Sequence, residues 1–130
     1  MIVVDSSVIL EVLLRTKSAQ AVEKKIFSKG ESLHAPHLID IEIAQVIRRY
    51  TSAGEFTPER GSQAIEDLID FRISRYSHDI LLPRIWQLRT NMTAYDASYV
   101  ALAEILNAPL LTRDAKLARS SGSTAKIQLI

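Results

Sequence analysis

The sequence has 130 residues, of which 47% are apolar and 24% charged, a length and composition that fit one soluble globular domain spanning residues 1–130. It contains no cysteine, which excludes disulfide scaffolds, thiolate zinc sites and cysteine nucleophiles and fits a reducing cytoplasm. Its net charge is +1, so no overall basic field indicates a nucleic-acid partner.

The apolar run at the N-terminus does not have the pattern of a signal peptide. Asp5 interrupts it, no basic residue precedes it, and no small-residue cleavage motif follows. No other apolar run approaches the roughly 20 residues that a membrane helix requires. We therefore expect a cytoplasmic protein without membrane association.

The first part of the chain predicts two strands and four helices. Residues 1–4 are an apolar run ended by Asp5 and Ser6, which is typical of a buried strand followed by a helix cap. Apolar spacing and capping residues predict a second strand at 32–35 and helices at 8–14, 18–29, 37–53 and 57–71. Phe27 and Tyr50 are expected on the apolar faces of two of these helices.

The second part predicts three further strands, at 73–77, 109–112 and 126–130, and helices at 79–88, 93–106 and 114–119. Asp79 is expected to cap the first of these helices. Strands that alternate with helices are typical of a parallel sheet with helices on both faces. We therefore expect an α/β fold with a parallel sheet of about four or five strands.

Charge is distributed unevenly along the chain. Residues 1–70 carry 8 Lys/Arg and 11 Asp/Glu, a net of −3, whereas residues 71–130 carry 8 and 4, a net of +4. Most of the excess is arginine, whose planar guanidinium suits phosphate. The arginines are Arg72, Arg75, Arg84, Arg89, Arg113 and Arg119. A solvated basic surface explains the same pattern.

Four carboxylates occupy positions that differ from those of ordinary surface acids. Asp5 and Asp114 each follow a predicted strand, and ligands of open parallel sheets bind beyond the carboxyl ends of the strands. Asp96 lies in the first turn of a largely apolar helix, and Glu42 borders the apolar stripe of its own helix. Taken singly, Asp5 and Asp114 also read as helix caps, and Glu42 as a side chain that reaches solvent.

A divalent cation explains the four acids together. Mg²⁺ takes oxygen ligands, commonly a few carboxylates with several waters, and would activate a water and neutralise charge on a phosphodiester. Zinc is not expected, because the three histidines lack HExxH spacing and no cysteine is present.

Other polar and aromatic residues are less decisive. Ser7, Asn91 and Thr112 lie next to the acids in sequence and are candidate supporting residues, although each also reads as a cap or turn residue. We expect the histidines to be surface or capping residues and the larger aromatics to be core or interface residues. The histidines are His34, His37 and His78, and the aromatics are Tyr76, Trp86, Tyr95 and Tyr99.

Four stretches in this order carry a resemblance to a known family. They are Val3-Val4-Asp5-Ser6-Ser7, Pro36-His37-Leu38 leading to Ile41-Glu42, Asn91-Met92-Thr93-Ala94-Tyr95-Asp96-Ala97, and Leu111-Thr112-Arg113-Asp114. With them the whole chain resembles the PIN-domain ribonucleases, in particular the VapC toxins of prokaryotic toxin–antitoxin pairs.

The resemblance implies a PIN-like fold that gathers Asp5, Glu42, Asp96 and Asp114 into one catalytic pocket. It implies Mg²⁺ or Mn²⁺ as cofactor, water as nucleophile and RNA as substrate, together with a homodimer and a cognate VapB-like antitoxin. Our hypothesis is that the three aspartates hold the metal and that Glu42 is a further ligand or positions water. Arg113 and Lys116 are the nearest candidates in sequence for binding flanking phosphates.

Three alternatives stay open. A housekeeping RNA-processing nuclease would keep the chemistry, and a non-catalytic PIN-like binding module would keep the fold alone. A phosphoacceptor signalling domain also gathers acids at strand ends, but it normally needs a lysine after a late strand, where this chain has Arg113-Asp114.

Overall fold

The computed structural model describes residues 1–130 and is organised around one five-stranded sheet. The strands are β1 (Ile2–Val4), β2 (Leu33–Pro36), β3 (Ile73–Tyr76), β4 (Leu110–Thr112) and β5 (Ile127–Leu129). They lie in the order β3-β2-β1-β4-β5, and every neighbouring pair is parallel. All five predicted strands and their parallel arrangement are confirmed.

Seven helices connect the strands: α1 (Ser6–Leu13), α2 (Ala19–Ile26), α3 (Leu38–Ser52), α4 (Pro58–Asp70), α5 (Leu82–Gln87), α6 (Ala94–Leu106) and α7 (Ala115–Ala118). Crossovers between parallel strands are right-handed, which places α1 to α4 on one face and α5 to α7 on the other. Helix contacts follow this division, since α1 packs on α2, α3 and α4, and α5 packs on α6. The predicted α/β fold is confirmed. No helix combines the length and apolar character that crossing a bilayer requires.

The central strands are apolar because helices cover both of their sides. Every residue of β1, β2 and β4 is buried, including the runs Ile2-Val3-Val4 and Leu110-Leu111. Such near-continuous apolar runs are typical of parallel strands inside an α/β domain. The register sets Val4 beside Leu111, so the residues that follow the two strands emerge side by side.

The chain reverses its direction across the sheet at β1. It proceeds from β1 to β2 and β3 on one side, then returns to β4 on the other side of β1. The helices that follow β1 and β4 therefore leave toward opposite faces and open a crevice beyond the carboxyl ends of these two strands. Ligands of open α/β sheets bind at such a point.

Three local predictions are wrong. The helix expected at 79–88 begins only at Leu82, because Pro83 fits its first turn, and Asp79 binds the neighbouring Ile80 N–H instead of capping it. Phe27 ends α2 and is exposed, with its ring 5.8 Å from that of Phe71. Tyr50 follows the last buried residue of α3 and is exposed. Its ring packs on that of Phe56, with the ring centroids 5.3 Å apart.

Glu104, on α6, forms hydrogen bonds that hold α5 and the segment before β5 in place. It accepts hydrogen bonds from Arg84 Nε at 2.7 Å, Ser123 Oγ at 2.9 Å and the Thr124 N–H at 3.0 Å. These bonds, with that from Arg84 the strongest, lower the pKa of Glu104 from 4.5 to about 2. Because the folded-state pKa is the lower one, the stabilisation is complete above the unfolded value and is lost as pH falls toward about 2.

We expect Glu104→Gln to lower the melting temperature at pH 7 and to flatten the loss of stability between the two pKa values. Thermal unfolding followed by circular dichroism across the acid range measures both effects. Glu66→Gln is the matched control, since Glu66 is an exposed helical glutamate outside the ion pairs of the structure. If the melting temperatures of wild type and Glu104→Gln fell in parallel as the pH is lowered, the lowered pKa could not belong to Glu104.

Candidate active site

Asp5 lies at the floor of the crevice, directly after β1, and its side chain is only 6% exposed. Its Oδ1 accepts hydrogen bonds from Ser7 Oγ at 2.5 Å and from the Val8 N–H at 3.3 Å, and its Oδ2 accepts one from Thr112 Oγ1 at 2.5 Å. Asp5 therefore does cap α1, as an ordinary reading of the sequence suggests. Burial nevertheless raises the pKa of Asp5, although all of these hydrogen bonds oppose the shift.

Two hydroxyl groups connect Asp5 to the loop that carries Asp114. Ser7 Oγ accepts a hydrogen bond from the Arg113 N–H at 2.9 Å, and Thr112 Oγ1 accepts one from the Asp114 N–H at 2.9 Å. Each hydroxyl therefore donates to the carboxylate and accepts from the backbone. The ends of β1 and β4 are fixed to each other by these two bridges.

Asp114 follows β4 and caps α7. Its Oδ1 accepts hydrogen bonds from the N–H groups of Lys116 at 2.9 Å and Leu117 at 3.4 Å. Its Oδ2 accepts no hydrogen bond from the protein. The capping role that the sequence suggests is thus present, and it leaves one carboxylate oxygen available to a ligand.

Glu42 projects from the second turn of α3 and is half-buried. Its Oε1 accepts a hydrogen bond from Tyr99 Oη at 2.5 Å. Burial, followed by the charges of Asp5 and Asp96, raises the pKa of Glu42, while the Tyr99 hydrogen bond opposes the shift. Burial and the charge of Glu42 raise the pKa of Tyr99 as well, so the phenol keeps its proton and acts as the donor.

Asp96 lies in the first turn of α6, where Thr93 Oγ1 accepts a hydrogen bond from its backbone N–H at 3.2 Å. Burial raises the pKa of Asp96, the charge of Asp114 raises it further, and Lys116 opposes the shift. The electrostatic contacts thus run from Asp5 to Glu42, from Glu42 to Asp96 and from Asp96 to Asp114. The structure brings the four predicted acids into one neighbourhood, which we call the acidic cluster.

None of the four acids of the acidic cluster forms an ion pair within the protein, although the charge of Lys116 acts on Asp96. The ion pairs of the structure involve Glu11, Glu31, Asp40 and Glu104, and none of the four cluster acids. Carboxylate oxygens are the donors that a hard divalent cation prefers. No group of three or more His, Asp or Glu side chains is arranged so that it could hold a metal ion together. Mg²⁺ does not require one, since it usually binds one or two carboxylates and keeps several waters.

The side chains of the remaining predicted site residues, Arg113, Asn91 and Lys116, form no hydrogen bond or ion pair with the four acids. The Arg113 guanidinium is engaged elsewhere, with the Ile130 carbonyl at 2.6 Å, Ser18 Oγ at 3.2 Å and Glu11 at 3.6 Å. Asn91 is exposed, and its amide lies 3.4 Å from Ser121 Oγ. Lys116 is exposed and forms no ion pair.

Sequence reasoning missed the role of Tyr99, which it placed in the core or an interface. Tyr99 is buried, as expected, but its hydroxyl holds Glu42. The available signal was its spacing of three residues from Asp96, which sets both on one side of α6. Trp86 and Tyr95 are largely exposed, so neither is a core residue.

The histidines divide between the expected roles and the core. His78 Nε2 accepts a hydrogen bond from the Leu38 N–H at 2.9 Å and so caps α3, as expected. His34 is buried on β2, contrary to expectation, because Ser32 and Tyr76 satisfy both of its ring nitrogens at 2.7 Å.

The model of the PIN domain family matches residues 2–122 of this chain. The chain belongs to the PIN domain family. A VapC ribonuclease of Mycobacterium bovis is 38% identical over 130 residues, covering 100% of this chain and 98% of the relative. The ribonuclease VapC1 of Mycobacterium tuberculosis is 38% identical over 129 residues, covering 98% of this chain and 96% of the relative. The predicted family is thereby confirmed.

The PIN domain fold is also found among solved structures. The chain is similar to one in the crystal structure of VapBC2 from Rickettsia felis bound to a DNA fragment from their promoter, with a TM-score of 0.70 and 13% identity. The match covers 99% of this chain and 98% of the other. At this identity the likeness concerns the fold, and it agrees with the parallel sheet described above.

Proposed function

We propose that this PIN domain protein is a VapC-type endoribonuclease that hydrolyses phosphodiester bonds in RNA with the help of Mg²⁺ or Mn²⁺. The observation that carries the proposal is the acidic cluster at the reversal point of the sheet, whose four acids form no ion pair within the protein. The 38% identity with VapC ribonucleases over the full chain supports the same activity.

Asp5, Asp96 and Asp114 are the residues that would hold the metal, and the free Oδ2 of Asp114 is suited to this. When bound, the cation would lower the pKa of water and neutralise charge on the phosphate. Glu42 would accept the proton of the attacking water, and its raised pKa makes it a better base than an ordinary glutamate. The hydroxyls of Ser7 and Thr112, together with Tyr99, keep the carboxylates in position.

The reaction forms a bond between water oxygen and phosphorus and breaks the bond from phosphorus to the 3′ oxygen, which leaves with a proton from solvent. The products therefore carry a 5′-phosphate and a 3′-hydroxyl. Incubation of end-labelled single-stranded RNA with Mg²⁺, Mn²⁺ or EDTA, followed by analysis of the new ends, tests the proposal. Cleavage in EDTA, or products with 2′,3′-cyclic phosphate, would contradict it.

We expect Mg²⁺ to raise the melting temperature of the protein, because a cation that binds only the folded state relieves the repulsion within the acidic cluster. At about 100 times its Kd, a ligand of this kind adds about 2.7 kcal/mol. Thermal unfolding in EDTA and in rising Mg²⁺ measures the shift. Asp79→Asn removes an exposed acid outside the cluster and should respond as the wild type does. An identical melting temperature at every Mg²⁺ concentration would contradict metal binding.

We further propose that the chain is the cytoplasmic toxin of a VapBC-type pair, that it forms a homodimer, and that a VapB-like antitoxin inhibits it. The support is its resemblance to VapC toxins and its VapC relatives. An antitoxin arginine at the acidic cluster would compete with the metal for carboxylates. Co-purification with the product of a neighbouring small gene that encodes a basic protein, with loss of RNA cleavage in the complex, tests the pairing.

A further inference from the structure

A groove of about 670 Å³ opens beside Asp96, on the side of the acidic cluster that faces α7. The segment that leads into α6 forms one wall, and α7 with the loop after it forms the other. Asp96 is the only acid in its lining, which also contains hydroxyl and amide groups and three cations: Arg89, Lys116 and Arg119.

The three cations are exposed, and none forms an ion pair, although the charge of Lys116 acts on Asp96. Of the eight Lys/Arg in residues 71–130, three are held in ion pairs: Arg75, Arg84 and Arg113. Arg72 and Lys126 directly precede β3 and β5, so they lie at the amino end of the sheet, away from the acidic cluster. The unpaired positive charge of the second half at the carboxyl end of the sheet is therefore gathered in this groove.

The Arg89 guanidinium is already held in one orientation before an anionic ligand binds. Its Nη1 donates a hydrogen bond to the Trp86 carbonyl at 2.9 Å, and its guanidinium lies 4.6 Å from the centre of the Trp86 ring. The other N–H groups of this guanidinium have no protein acceptor. Stacking fixes the plane of an arginine and reduces the entropy lost when it binds a phosphate.

The loop on the opposite wall is fixed against Asn91. Gly122 has a φ of +90°, and a Cβ at this position would lie 2.6 Å from Asn91 Nδ2. The positive φ is a conformation that glycine adopts readily, and it lets the loop pack against the Asn91 amide.

We propose that this groove binds the backbone phosphates next to the scissile one in single-stranded RNA, on the Asp96 side of the acidic cluster. The inference rests on the proposed function and adds to it the place where the rest of the substrate lies. Four clustered carboxylates repel a polyanion, and three unpaired cations at their border offset that repulsion. Arg113, the nearest arginine in sequence, is excluded because its guanidinium is already engaged.

Direct binding provides the first test. Anisotropy of a short fluorescein-labelled single-stranded RNA of mixed sequence is measured in a Glu42→Gln background, which prevents cleavage and keeps an acceptor for Tyr99. Each phosphate contact contributes about 0.7 to the slope of log affinity against log salt for single strands. Combined Arg89→Gln, Lys116→Gln and Arg119→Gln should therefore reduce the slope by about 2 and weaken binding at least about tenfold at low salt. Arg72→Gln, an exposed arginine at the other end of the sheet, should change neither.

Steady-state cleavage in the wild-type background provides the second test. The three substitutions should raise KM severalfold and leave kcat within about twofold, because they contact phosphates that do not react. The proposal that the groove binds RNA would be wrong if the triple variant and Arg72→Gln had equal RNA affinities and salt slopes. It would also be wrong if none of the proteins bound RNA. A fall in kcat without a change in KM would also overturn it. If the wild-type protein binds RNA but does not cleave it, and the triple variant loses that binding, the proposed function is wrong and the groove is still the RNA-binding site.

Discussion

Replacement of Asp96 by Asn is expected to reduce kcat/KM for RNA cleavage by about 100-fold or more and to leave the folded protein at least as stable as the wild type. The loss of activity is expected because the amide removes one charge of the acidic cluster while it keeps the size of the side chain. The backbone of Asp96 still donates to Thr93 Oγ1, so the start of α6 does not depend on the carboxylate.

The gain in stability follows from the same environment. Burial and the charge of Asp114 raise the pKa of Asp96, which means that its ionised form is disfavoured in the folded protein relative to the unfolded chain. At neutral pH without metal, a neutral side chain relieves that cost, and we expect a small gain in the free energy of unfolding. Chemical unfolding in EDTA measures it, and cleavage of labelled RNA in Mg²⁺ measures the loss of activity.

Asp79→Asn is the control for both measurements, because Asp79 is exposed and binds only the adjacent backbone. It should leave cleavage and stability unchanged. Full activity in Asp96→Asn, with the 5′-phosphate products of the wild type, would exclude Asp96 from the site. A loss of several kcal/mol of stability would show instead that the carboxylate has a structural role.

The backbone positions of Asp5, Asp114 and Glu42 could be predicted from patterns in the sequence, whereas the resemblance to PIN-domain ribonucleases grouped these three with Asp96. An apolar run followed by Asp locates Asp5 and Asp114 at strand ends, and the reversal of the strand order then brings those ends together. Helical periodicity similarly places Glu42 at the edge of a buried stripe. Both features survive boundary errors of one or two residues.

The directions of long side chains could not be predicted in this way. Arg113 and Lys116 both lie within two residues of Asp114 in sequence, yet Arg113 turns to the Ile130 carbonyl and Glu11, whereas Lys116 lines the groove. The sequence showed that the second half is basic but not which cations are paired. Pairing depends on residues that are distant along the chain, such as Glu104 for Arg84, and only the tertiary structure brings them together.

Thr112→Val is expected to reduce both stability and activity, although it changes the shape of the side chain very little. Thr112 is fully buried, and its hydroxyl donates to Asp5 Oδ2 and accepts from the Asp114 N–H. Valine leaves a buried carboxylate oxygen without a donor and a backbone N–H without an acceptor. Unsatisfied buried groups of this kind cost about 1–3 kcal/mol each, and more when charged, so we expect a loss of about 3 kcal/mol.

The activity of this variant should fall by about 10- to 100-fold, which is the usual effect of removing a group that orients a metal ligand. Thr112→Ser is the matched control, because it keeps the hydroxyl and loses only a methyl group. It should retain most of the activity and lose about 1 kcal/mol. Equal behaviour of the two variants, in chemical unfolding and in RNA cleavage, would show that the methyl group matters and the hydroxyl does not. A loss confined to Thr112→Val would mean that one buried hydroxyl both holds β1 against β4 and positions Asp5 and Asp114, so the centre of the fold and the acidic cluster depend on the same bond.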